Sequence, residues 1–162
     1  MNCRESIAPF LVLTCGNPSR GDDALGPALH ALLERHKLET RELSNVDLLT
    51  DFQLQIEHAV DLEQREAVLF VDAGVRCSAP FELSKLTALR DDSFTTHAMS
   101  PASVLHVFQK VHSTVPPPSF LLTIRAYQFG LGQDMSERAV SNLQQSFRYV
   151  VNNHWLEEAR LV

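Results

Sequence analysis

Two adjacent carboxylates, Asp22 and Asp23, stand in the stretch Gly16-Asn17-Pro18-Ser19-Arg20-Gly21-Asp22-Asp23-Ala24-Leu25-Gly26, directly after the apolar run of residues 9–14. A third acid, Asp72, closes the apolar run 67–71, where Ala73-Gly74 permits a sharp turn. His97 lies in Thr95-Thr96-His97-Ala98-Met99, just ahead of Ser100-Pro101. Two carboxylates and one imidazole form a donor set for a borderline divalent metal such as nickel or zinc, with positions left for water or substrate. Each residue also has a plainer reading. Asp22 or Asp23 can cap a helix, Asp72 can anchor its turn, and His97 is one of seven histidines. His30, His36, His106 and His112 fall on or near predicted helices and read as structural or solvent-facing, while His58 is a reserve ligand.

Other chemistries fit poorly. A phosphate-binding P-loop ends in Lys-Ser or Lys-Thr, whereas this chain places Asp22-Asp23 where the cation belongs. Neither a Gly-x-Ser-x-Gly elbow nor a His-Glu-x-x-His zinc helix occurs. Cys3, Cys15 and Cys77 are odd in number and lack Cys-x-x-Cys spacing, which argues against a disulfide framework or a thiolate zinc site. Cys15 touches the acidic motif but reads as a core residue at a strand end.

The elements that must position these groups follow from hydrophobic periodicity. Residues 9–14, 67–72 and 120–124 are near-continuous apolar strands, as expected of a parallel sheet covered on both faces. Leu25, Ala28, Leu29, Leu32 and Leu33 define the buried face of a first helix that starts between Asp23 and Gly26 and ends near His36. Residues 39–43 are weakly strand-like and 51–62 loosely helical. The alternation of 81–86 suggests a half-exposed edge strand. Ser100-Pro101 reads as a helix N-cap with proline at the first position, followed by an apolar face of Val104, Leu105, Phe108 and Val111. Ser136 caps a last helix whose Val140, Leu143, Phe147, Val150 and Val151 share one side. The expected architecture is one domain over residues 1–162: a three-layer α/β/α sandwich with a mostly parallel twisted sheet of about five strands and one edge strand of uncertain direction. Asp22/Asp23 and Asp72 then lie beyond the carboxyl ends of strands, where such sheets bind ligands.

The chain of 162 residues carries a net charge of -6 and no Lys/Arg cluster, which disfavours nucleic acid or an anionic membrane as partner. Its longest apolar run, residues 7–15, falls far short of a membrane span, and Glu5 precedes it with no small-residue cleavage site after it. The expectation is a soluble cytoplasmic protein; oligomeric state is not legible.

Taken together and in order, Gly16-Asn17-x4-Asp22-Asp23-x2-Gly26, the strand ending Val71-Asp72-Ala73, and His97 before Ser100-Pro101 resemble the nickel-iron hydrogenase maturation endopeptidases, from about Leu11 to Ser136. The resemblance implies removal of a C-terminal extension from a nickel-loaded hydrogenase large-subunit precursor. It implies a metal bound by Asp23, Asp72 and His97, with Asp23 standing where some members carry Glu. The metal would be nickel brought by the substrate, with zinc or cadmium able to occupy the same place. Asp22 would support the site, moving a proton beside Asp23 if the metal activates water or the scissile carbonyl. Residues 47–66 carry no matching pattern. A non-catalytic metal-dependent binding or chaperone module for the precursor is the alternative, and a small nucleotide-binding domain is disfavoured by the acidic loop. Because imidazole binds metal only when neutral, metal binding is expected to weaken below about pH 6.

Overall fold

The computed structural model describes residues 7–90 and 99–161; His97 and Cys3 lie outside them. Five strands, β1 (Phe10–Cys15), β2 (Val46–Asp51), β3 (Ala67–Gly74), β4 (Phe81–Lys85) and β5 (Ser119–Arg125), form one sheet in the order β2-β1-β3-β5-β4. All pairs are parallel except β4 with β5, so the edge strand of uncertain direction is antiparallel.

Strand alternation sorts the core into two layers. Val12, Leu69, Val71, Leu122 and Ile124 pack under α1 (Leu25–Thr40), α4 (Glu137–Val151) and α5 (His154–Arg160). Leu11, Leu13, Val68 and Phe70 point the other way, against α2 (His58–Asp61) and α3 (Pro101–His112). The three-layer α/β/α sandwich is thus a direct consequence of strands apolar on both faces.

Several local expectations are corrected. Helix α1 runs to Thr40, so residues 39–43 are not a strand; the helix ends on Arg41 in the left-handed region, and the second strand starts later, at Val46. Only His58–Asp61 of the segment 51–62 is helical. Val111 and Val140 are exposed, and the buried side of α4 is Ala139, Asn142, Leu143, Ser146 and Val150. Helix α5 was not expected; it begins after a left-handed Asn153 and fully buries Trp155, whose ring meets Phe10 edge-on. Both predicted caps are present: Ser100 and Ser136 accept the backbone N–H of Ser103 and Ala139.

β1 lies between β2 on one side and β3 on the other, so the chain direction across the sheet reverses between β1 and β3. The crevice at such a reversal opens at the carboxyl ends of both strands.

Candidate active site

A 3-10 turn (Gly21–Ala24) connects the end of β1 to α1 and carries both acids of the first motif. Its tight geometry depends on two glycines. Gly16 has φ 146°, and a Cβ there would stand 2.0 Å from the Asp23 carbonyl oxygen. A Cβ on Gly26 would stand 2.0 Å from the Cys15 carbonyl oxygen. The strand end and the helix start therefore touch backbone to backbone, which only glycine permits.

Within this turn the two acids point to different places. Asp22 is fully buried and faces the loop leading to α4. Its carboxylate accepts N–H bonds from Tyr127 at 2.7 Å, Gln128 at 3.1 Å and Ser136 at 2.7 Å, and the Ser136 hydroxyl at 2.9 Å. Four donors saturate it. Asp22, expected as a catalytic or supporting proton carrier, is thus engaged by the loop leading to α4 and does not line the pocket that holds Asp23 and Asp72.

Asp23 turns the other way. One oxygen accepts the Asn17 N–H at 3.0 Å, while the Asn17 side chain accepts the Ser19 N–H at 2.9 Å and fixes the turn. The side chain lines a pocket of about 350 Å³ with Cys15, Phe52, Leu54, Asp72, Met99 and Pro101 among its walls. Asp72 stands one residue beyond the Thr14↔Val71 pair of β1 and β3, on the strand face shared by Val68 and Phe70. Asp72 keeps one side open to water, yet the surrounding protein raises its carboxyl to about 6. Burial is the main cause; the charge of Asp23 adds to it, and the Ala73 N–H, donating at 2.8 Å, opposes it. The same acids act on Cys15, whose thiol is pushed up to about 12 by burial and then by Asp72, Asp51 and Asp23.

Two like charges in one partly desolvated pocket repel each other, and a divalent cation relieves that repulsion. The Asp23 and Asp72 carboxylates are suited as hard donors to hold such an ion, with further positions left for substrate. Among the described residues no three His, Cys, Asp or Glu side chains converge to hold an ion. The third expected donor, His97, lies outside the described residues; Met99, Ser100 and Pro101, which follow it closely in sequence, line the pocket.

The contribution of β2 to the pocket escaped the sequence. Asp51 ends β2 beside Cys15, in register with it, and the chain continues into the pocket wall as Phe52, Gln53 and Leu54. His58, the reserve ligand, is buried. Its Nδ1 accepts the Gln55 N–H at 2.8 Å and its Nε2 lies 3.4 Å from the Asp51 carboxylate, so both nitrogens are occupied. The available signal for Asp51 was a carboxylate closing the short run Val46–Asp51, and it required recognising β2.

The α/β/α fold with sheet order β2-β1-β3-β5-β4 is similar to that of solved hydrogenase maturation proteases. Among solved structures, the [NiFe] hydrogenase maturation protease HycI from Thermococcus kodakarensis has a TM-score of 0.65 at 18% identity, over 91% of this chain and 93% of its own. The hydrogenase maturating endopeptidase HybD from E. coli gives 0.64 at 20% identity, over 87% and 88%. A hydrogenase 2 maturation peptidase from Thaumarchaeota archaeon SCGC_AB-539-E09 gives 0.61 at 22%, over 89% and 96%. No protein-family model matches the chain, and no curated protein sequence does either.

Proposed function

We propose that this chain is an endopeptidase that removes the C-terminal extension of a nickel-loaded nickel-iron hydrogenase large-subunit precursor. The observation that carries this reading is the pairing of Asp23 and Asp72 in one pocket at the β1/β3 switch point of a maturation-protease fold. The nickel belongs to the substrate. Asp23, Asp72 and His97 are the donors assigned to it, and a precursor without metal offers the two carboxylates nothing to neutralise their repulsion. Selectivity for the loaded precursor follows from that electrostatic difference.

Within the pocket, the apolar walls of Phe52, Leu54, Phe70 and Leu121 limit water on one side of the carboxylates. Asp72, raised to about 6 in the metal-free pocket, is ionised at neutral pH and ready to take up the substrate's metal, which relieves the repulsion from Asp23. Asp22 takes no part in this chemistry; it holds the turn that presents Asp23.

Mixing the purified chain with nickel-loaded precursor and following the precursor's mass tests the reading. Loss of the extension is expected, slowed roughly 100-fold or more by Asp23→Ala, Asp72→Ala and His97→Ala. Stable association without a change in mass would instead identify a non-catalytic binding or chaperone module. Absence of both association and cleavage would overturn the assignment.

A further inference from the structure

The outer edge of β2 has an open main chain that leads into the pocket. Phe10 N–H donates to the Asn45 carbonyl and Gly16 N–H to the Asp51 carbonyl, so the odd-numbered residues of this segment turn their peptide groups toward β1. The even-numbered residues turn theirs outward. Val46 is closed off: its N–H donates to the Leu43 carbonyl and its own carbonyl accepts the Lys37 ammonium. For Leu48 and Thr50 the described residues supply no outward main-chain partner. Beside them runs a groove of about 530 Å³ lined in part by Leu38, Leu48 and Leu49, with Leu38 84% exposed. Past the end of the strand, Phe52, 65% exposed, gives its N–H to the Asp51 carboxylate and belongs to the pocket of Asp23 and Asp72.

We infer that the C-terminal extension of the protein substrate docks as an added strand on the Leu48–Asp51 edge of β2, antiparallel to it. This inference rests on the endopeptidase reading. The direction follows from the topology: β2 runs toward the pocket, and residues beyond a bond cut in the pocket run away from it. Main-chain bonds to Leu48 and Thr50 hold the tail regardless of its sequence, and alternate tail side chains meet the Leu38–Leu48 groove. The open stretch from Leu48 to the end of β2 at Asp51 spans four residues, roughly 14 Å of extended chain, which suits a short tail. A second copy of this chain is a poorer occupant, because Lys37 closes the edge at Val46 and leaves too little strand for a stable dimer.

Steady-state cleavage of nickel-loaded precursor by Thr50→Pro and Leu38→Glu tests the inference. Proline at position 50 removes only an outward N–H, so the ladder to β1 is retained while its ring occupies the incoming strand's place. It also removes the acceptor of the Thr14 hydroxyl, 2.9 Å away, so thermal unfolding serves as the fold control. Leu38→Glu alters only an exposed side chain and decides the matter if the proline variant does not fold. The expected result is KM raised about tenfold with kcat retained in either variant, through the loss of one or two main-chain bonds in Thr50→Pro and of an apolar contact in Leu38→Glu. Affinity for precursor already lacking its extension should be unchanged. Unaltered KM in both variants, with the wild-type chain cutting normally, overturns the edge docking and leaves the endopeptidase standing. Dimerisation of the free chain that Thr50→Pro abolishes would also overturn it, assigning the edge to a second copy. Failure of the wild-type chain to cut overturns the endopeptidase reading and this inference with it.

Discussion

The Asp22 carboxylate lies 2.9 Å from the Ser136 hydroxyl, joining the turn after β1 to the N-cap of α4. Ser136 therefore acts twice, donating its hydroxyl to Asp22 and accepting the Ala139 N–H at 3.2 Å. Asp22→Ala strands the N–H groups of Tyr127, Gln128 and Ser136, so it should destabilise the fold by about 3 kcal/mol. Asp23→Ala removes a half-buried acid that repels Asp72 and should leave stability within about 1 kcal/mol of wild type. Urea unfolding of both variants checks the contrast. Equal losses would remove the distinction between a structural and a functional acid.

Asp72 gives stability a defined pH dependence. Its carboxyl is raised from 3.8 to about 6, so between those values the folded state holds a proton that the unfolded state has released. Stability falls as pH rises through this window, and the deficit remains at neutral pH. Asp72→Asn should melt above wild type near about pH 7 and coincide with it below about pH 4, by a difference on the order of 1 kcal/mol because the group is partly open to water. Calorimetry at the two pH values measures it. A shift of the same size at both would assign the gain to packing rather than charge.

Cys15 borders the pocket and invites comparison with a nucleophile. Burial and three nearby acids push its thiol up to about 12, so at pH 8 almost none is thiolate. In a Cys3→Ser background, iodoacetamide labelling of Cys15 should be roughly 100-fold slower than that of a free cysteine. Peptide mapping by mass spectrometry reads the rate. Labelling at the free rate would show that the pocket stabilises a thiolate and would reopen a role for this residue.

Much of this architecture was legible because strands β1, β3 and β5 are buried on both faces, and burial of that kind writes itself as unbroken apolar sequence. Strand β2 is different. Its residues Val46, Asp47, Leu48, Leu49, Thr50 and Asp51 lie at an edge, where Asp47 is satisfied by Arg65 and the Ala8 N–H, and such polar pairing breaks the apolar signal. Helix α5 was hidden for a similar reason: seven residues carry only Trp155 and Leu156 to the core. The choice between Asp22 and Asp23 could not be made locally. The donors that claim Asp22 lie 105 to 114 residues further along the chain, so only folding distinguishes two neighbouring identical side chains.

The acidity of Asp72 also changes what nickel binding can reveal. A histidine ligand alone weakens metal affinity below about pH 6, and Asp72, its carboxyl raised to about 6, adds its own proton in the same range. With free nickel ion as probe, the logarithm of Kd for wild type should rise by roughly 1.5 units on acidification from about pH 6 to 5, somewhat under one for each group because each is already partly protonated at the upper end. Asp72→Asn and His97→Ala should each roughly halve that slope, alongside weaker affinity. Isothermal titration across this interval separates the contributions. A slope unchanged by His97→Ala would remove the histidine from the ligand set, while a slope unchanged by Asp72→Asn would remove the carboxylate and, with it, the strand-end donor on which the proposed site depends.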